Sequence, residues 1–234
     1  NINLRCGSTS PGLVQATVSG VHADVGIALD GDGDRLVMVD HLGRIADGDQ
    51  LLYVIASDRK RTGTLQGPVV GTVMSNLGLE LKLRAEGVEF LRARVGDRYV
   101  LSMLREHGGV LGGETSGHLI CLDRTTTGDG LISALEVLSV MKRTGRPLAE
   151  LVAGMPKLPQ VMINVKVRER IDTAASVPIQ AAVQQVEAAL GGTGRVVLRA
   201  SGTEPVIRVM VEGEDEGVVT RHANELAEVV RNAV

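Results

Sequence analysis

Ala23-Asp-Val-Gly-Ile-Ala-Leu-Asp-Gly-Asp-Gly-Asp-Arg-Leu-Val-Met-Val39 decides how this chain is read. Residues 23–29 and 36–39 are short, mostly apolar runs, and His41-Leu-Gly-Arg44 closes the second as a turn, so two strands flank the loop between them. In that loop Asp30, Asp32 and Asp34 alternate with glycine. On extended backbone, carboxylates at every second position can point one way and share a hard cation, while the glycines let the chain turn tightly around it. An EF-hand loop also begins D-x-D-x-D, but it needs Gly at its sixth position and Glu at its twelfth, where this sequence has Arg35 and His41. An acidic surface turn is the competing reading, against which stands the mutual repulsion of three crowded like charges.

Downstream the apolar pattern alternates. An apolar stretch at residues 50–56 is followed by a strand at 68–73, a helix at 77–86, a strand at 90–95, a helix at 99–106 and a short Val110-Leu111 run before a Gly-rich loop. Leu131, Leu135, Leu138 and Met141 then fall at helical spacing behind Thr127-Gly-Asp129, whose polar side chains suit a helix N-terminus. Pro147, Pro156 and Pro159 punctuate the chain, and beyond them the order becomes strand, helix, two strands and a final helix. The first of these helices follows Pro178, presents Ile179, Val183, Val186 and Leu190, and stops at Gly191-Gly192. Val219, Ala223, Leu226 and Val230 give the last one its apolar stripe. The predicted fold class is α/β: the end of one mixed α/β domain, a complete βαβα-type domain, and a small C-terminal α+β domain. Asn1 is not an initiator methionine and the first two strands arrive without enough preceding chain for a domain, so the sequence reads as cut from something longer.

Two further loops carry chemistry. Gly112-Gly-Glu-Thr-Ser-Gly-His118 combines a carboxylate, two hydroxyls and an imidazole with glycines that allow close backbone approach, a set suited to sugar hydroxyls, although alone it could be an ordinary turn. Arg199-Ala-Ser-Gly-Thr-Glu-Pro-Val-Ile-Arg208, between two strands, offers the guanidinium, hydroxyl and amide donors that fix a phosphate dianion; a polar hairpin with exposed arginines is its competitor.

Composition narrows the remaining classes. With 44% hydrophobic residues the chain can bury a sizeable core. No apolar run is long enough to cross a bilayer and no signal-peptide layout opens the chain, which predicts a cytoplasmic protein without a membrane partner. A net charge of -3 from mixed signs, with only Tyr53, Tyr99 and Phe90 as aromatics, argues against nucleic acid. Cys6 and Cys121 form no CxxC pair and read as plain thiols. GxSxG, Walker A, HExxH and strand-borne GxGxxG patterns are all lacking, and of five histidines only His118 lies in a polar Gly-rich loop.

The three loops, in this order and at these separations, resemble the α-D-phosphohexomutase superfamily. Within it Met74-Ser-Asn-Leu-Gly78, Val95-Gly-Asp-Arg-Tyr-Val100 and Leu122-Asp-Arg-Thr-Thr-Thr-Gly-Asp129 look like the phosphoglucosamine mutase family more than phosphomannomutases or phosphoglucomutases. The resemblance implies the end of domain two with the metal loop over residues 1–45, domain three with the sugar loop over 46–153, and domain four with the phosphate loop over 154–234. It implies Mg2+ on Asp30, Asp32 and Asp34, with Arg35 beside a phosphoserine and His118 close by as the catalytic positions. Glu114 and Ser116 would grip the sugar, and Arg199, Ser201, Gly202, Thr203 and Arg208 the phosphate that is not transferred. The implied activity is interconversion of glucosamine 6-phosphate and glucosamine 1-phosphate through a bisphosphate, toward UDP-N-acetylglucosamine and cell-wall precursors. The family's S-x-S-H-N-type serine loop does not occur here, so the implied partners are a small sugar phosphate and N-terminal domains of the same protein, the chain alone being inactive. A homodimer is left open, as are the neighbouring mutase specificities and, from another class, a non-catalytic sugar-phosphate-binding module.

Overall fold

A computed structural model describes residues 2–167, 175–201 and 205–233. The chain divides into two compact units, Asn1–Pro156 and Lys157–Val234.

The first unit opens with α1 (Gly12–Val21), then β1 (Val25–Leu29), β2 (Leu36–Asp40) and β3 (Ile45–Ala46), which form an antiparallel sheet in the order β1-β2-β3. Helix α2 (Gly48–Thr62) follows. Asp47 caps it, accepting from the Gln50 amide while the Gln50 side chain returns a bond to the Asp47 amide, and Gly63 ends it in the left-handed region at φ 72°. Leu51, Leu52, Tyr53, Val54, Ile55 and Ala56 are all buried, so the apolar stretch at 50–56 is a central helix enclosed on most sides rather than a surface one. At about 1.5–3 kcal/mol for each large side chain taken from water, this run anchors the unit and fixes the helix N-terminus in space.

Around it lie β4 (Val69–Thr72), α3 (Leu77–Ala85), β5 (Phe90–Ala93), α4 (Asp97–His107), β6 (Leu111–Gly113), β7 (Leu119–Cys121), α5 (Gly130–Thr144) and α6 (Leu148–Val152). The sheet order is β5-β4-β6-β7, with β4 parallel to both neighbours and β7 antiparallel to β6. Strand order therefore reverses at β4, and the loops leaving β4 and β6 flank the crevice where α/β sheets place their ligands. Asp129 caps α5 by accepting from Ile132, as its position before the helix predicted. Only half of the predicted α5 stripe packs: Leu138 and Met141 lie against the core, whereas Leu131 and Leu135 are 58% and 54% exposed and Ala134, Val137 and Val140 are buried. The two faces lie only about one residue apart in helical phase, and packing selects the smaller side chains beside α2. Helix α1 had no visible signature, since it buries only Val18.

The second unit is β8 (Gln160–Lys166), α7 (Val177–Leu190), β9 (Arg195–Ala200), β10 (Val206–Glu212) and α8 (Glu216–Asn232), with β10 central in an antiparallel sheet of order β8-β10-β9. Val165, Ile207 and Val209 pack against Ile179, Leu226 and Val230 of the two helices. Strand alternation then turns Arg199 and Arg208 to the opposite face. Among the described residues no helix is long and apolar enough to cross a membrane.

Candidate active site

The acidic loop joins β1 to β2. It is closed by hydrogen bonds from the Gly33 amide to the Asp30 carbonyl (3.1 Å) and from the Arg35 amide to Asp30 Oδ1 (3.2 Å), with Arg35 Nε 3.9 Å from Asp30 Oδ2. Asp34 turns to the sugar-type loop, its Oδ2 3.0 Å from His118 Nδ1. An ionised carboxylate only accepts, so Nδ1 carries the proton of that bond. Burial acts to raise the Asp34 pKa, but the hydrogen bond and charge of His118, together with Asp30, hold it below the ordinary carboxylate value.

The three aspartates do not form the shared cage that their spacing suggested. Among the described residues no group of three or more His, Cys, Asp or Glu side chains is gathered closely enough to hold a metal ion. Asp34 is drawn to His118, Asp30 is held by Arg35, and Asp32 lies exposed. The donor chemistry nevertheless fits a hard cation, because all three offer carboxylate oxygens and Asp34 Oδ1 is buried without a hydrogen-bond partner.

The loop Gly112–His118 connects β6 to β7 and is fastened at both flanks. The Leu36 amide donates to the Gly117 carbonyl (3.0 Å), the Gly48 amide to the Thr115 carbonyl (3.1 Å), and the Gly117 amide to the Glu114 carbonyl (2.9 Å). Close approach explains the glycines: at Gly117 (φ 95°) a Cβ would stand 2.0 Å from the Leu36 carbonyl oxygen, and at Gly48 one would stand 2.0 Å from that of Glu114. Glu114 Oε1 accepts from the Gly96 amide at the start of α4 (2.9 Å), and Ser116 is exposed at the loop tip. The Val95–Val100 motif thus abuts the carboxylate of this loop, with Arg94 and Arg98 stacked on Tyr99 at 4.7 and 4.6 Å. Asp30, Asp34, Arg35, Glu114, Ser116 and His118 therefore belong to one connected pair of loops.

Two interactions escaped the sequence reading. Asp49, in the first turn of α2, is 1% exposed and accepts at Oδ2 from the Asn76 amide and the Thr115 hydroxyl, both at 2.8 Å. Burial pushes its pKa up to about 6, aided by the charge of Asp47 and opposed by the bonds from Asn76 and Thr115. The only local signal was the Asp47-Gly-Asp49 pair, which reads simply as a helix start. Because the folded protein holds this proton more tightly than the unfolded chain, stability is highest below about pH 4 for this group and falls as pH rises toward 6. Asp49→Asn should remove a decline of about 2–3 kcal/mol from urea unfolding curves taken between pH 4 and 7. The other is Arg59, a buried cation that bonds Asp123 and Glu136 at 2.9 Å each. Burial also pushes the Cys121 thiol up to about 11, so it stays protonated.

In the second unit Arg199 and Arg208 are direct cross-strand partners, and the amide of buried Ser201 donates to the Val206 carbonyl (2.9 Å). Gly202 and Thr203, the other predicted phosphate contacts, lie outside the described residues.

The family model for phosphoglucomutase/phosphomannomutase α/β/α domain III matches residues 47–158, and that for the C-terminal domain matches residues 162–229. A phosphoglucosamine mutase of Methylococcus capsulatus is 58% identical over 233 residues, covering 100% of this chain and 52% of its own length. One from Alcanivorax borkumensis is 56% identical over 234 residues, with 53% of its length covered. The chain thus spans about half the length of the curated relatives it matches. A crystal structure of Aspergillus fumigatus N-acetylphosphoglucosamine mutase with GlcNAc-6P and magnesium shares the fold at TM-score 0.78 and 21% identity, over 98% of this chain and 57% of that one. A Burkholderia thailandensis phosphoglucomutase/phosphomannomutase family protein does so at TM-score 0.77 and 23% identity, over 97% and 50% respectively. With two consecutive domain models of one family matched in order and high identity along its whole length, the chain belongs to the phosphoglucomutase/phosphomannomutase family.

Proposed function

We propose that the full-length protein carrying this sequence is a cytoplasmic phosphoglucosamine mutase that interconverts glucosamine 6-phosphate and glucosamine 1-phosphate through a phosphoserine and a bisphosphate, on the way to UDP-N-acetylglucosamine. The observation that carries this reading is the 58% identity to phosphoglucosamine mutases along the entire chain. The phosphoryl donor is a serine outside these residues, so the chain alone is inactive. Asp30, Asp32 and Asp34 would hold Mg2+, which neutralises charge on a transferring phosphoryl group when bound. Glu114 keeps one oxygen on Gly96 and has the other for sugar hydroxyls, and exposed Ser116 adds a donor and an acceptor. Arg35 and His118 stand where the acidic and sugar loops join, beside the transferring group. Arg199, Ser201, Gly202, Thr203 and Arg208 would hold the phosphate that stays.

A phosphomannomutase or phosphoglucomutase specificity is the second reading, favoured by the scope of the family models. Turnover of the full-length protein on glucosamine, mannose and glucose phosphates separates the two: the first should be used at least tenfold more efficiently, and equal use would overturn the assignment. In that protein Arg208→Ala should raise KM for the sugar phosphate by about 10–100-fold, the loss of a charge-assisted bond. Asp32→Asn should weaken Mg2+ binding in calorimetry. Unchanged values would remove the phosphate and metal assignments respectively.

A further inference from the structure

Asp49, an acidic residue in the first turn of α2, faces the positive end of that helix, but its burial is costlier than that position requires. Asp47 already supplies the α2 cap, and a carboxylate enclosed at 1% exposure loses most of its hydration. Its partners Asn76 and Thr115 are distant in sequence and lie on different loops. The Asn76 amide belongs to the loop leaving β4, within Met74-Ser-Asn-Leu-Gly78, and the Thr115 hydroxyl to the loop leaving β6. These are the two loops on either side of the strand-order reversal. The β4 loop is itself well held: Asn76 caps α3 by accepting from the Gly78 amide, and Arg92 donates to the carbonyls of Thr72 (2.9 Å) and Ser75 (2.7 Å). Asp49 is therefore a peg between a fixed loop and the loop bearing Glu114 and Ser116. The Thr115 side chain is tied inward to it while Ser116 stays exposed.

We infer that Asp49 is a positioning residue for substrate, acting through Thr115 to hold Glu114 and Ser116 in register for a sugar phosphate. This rests on the reading of that loop as the sugar-binding loop. The interaction accepts two neutral donors on one oxygen, so it resists rotation of the loop about its β6 and β7 stems better than the flanking backbone bonds alone.

The test uses the full-length protein, glucosamine 6-phosphate as substrate, four single variants, Asp49→Ala, Thr115→Val, Thr115→Ser and Glu114→Gln, and the Asp49→Ala/Thr115→Val double variant. Asp49→Ala, which removes the accepting oxygen, and Thr115→Val should each raise KM about tenfold with a smaller change in kcat, and the double variant should be no worse than the worse single one. Thr115→Ser keeps the hydroxyl and should behave as the parent. Hydrogen exchange at residues 113–118, read by mass spectrometry, should speed up about tenfold in the same two variants and not in Thr115→Ser. Unchanged exchange in both overturns the assignment, as does faster exchange with KM unmoved while Glu114→Gln raises it. A silent Glu114→Gln would instead sink the sugar-loop reading, and the exchange data would then decide alone whether Asp49 pegs the loop.

Discussion

Gly117→Ala should lower the stability of the first unit by about 3–5 kcal/mol and abolish sugar-phosphate binding by the full-length protein. Two costs combine. The residue sits at φ 95°, where an L side chain is strained, and the added methyl would press to 2.0 Å from the Leu36 carbonyl oxygen and 3.0 Å from the Leu36 nitrogen. Those atoms are backbone in a fully buried part of β2, so they cannot step aside as a flexible side chain would. Relief can come only by breaking the bond from the Leu36 amide to the Gly117 carbonyl, which joins the acidic loop to the sugar-type loop. Urea unfolding measures the first effect, and a parent-like midpoint would show that the two loops are not clamped together.

Arg59→Met is the second large effect, at about 3 kcal/mol. Arg59 is 5% exposed, and removing its guanidinium leaves Asp123 and Glu136 facing one another beside the more exposed Arg124. Desolvation works against the Arg59 charge, but the hydrogen bonds it donates to Glu136 and Asp123 outweigh it and keep the group protonated. Methionine keeps most of the volume, so the loss is electrostatic rather than a cavity. It should therefore shrink when Glu136→Gln is added. Equal losses with and without that substitution would mean that packing, not charge, holds the α2–α5 contact.

The fold was legible wherever its signal was local. Asp129 before a helix, Gly191 after one, and the apolar runs of β4, β9 and β10 act through neighbours a few residues away, and each appears where the chain chemistry places it. The phase of α5 was not legible, because Leu131 and Ala134 compete for the core and the choice depends on what α2 presents. In the candidate site, the Gly-rich and acidic loops stood out from the sequence by residue type, whereas the groups that hold them did not. Asp49 reaches partners 27 and 66 residues away, and Arg59 partners 64 and 77 residues away. Separations of that order leave no trace in a local window, since only the completed sheet and its central helix bring such atoms together. In the acidic loop the spacing announces a cage, whereas Asp34 meets His118, Asp30 accepts from the Arg35 amide and Asp32 stays exposed.

The clamping of residues 114–118 by the amides of Leu36 and Gly48 has a thermodynamic corollary. A ligand seated there meets a loop whose backbone freedom was surrendered when the unit folded, so little ordering cost remains to be met at capture. Discrimination at this wall is then a matter of rigid fit, and any movement that admits or releases a ligand has to arise elsewhere in the molecule.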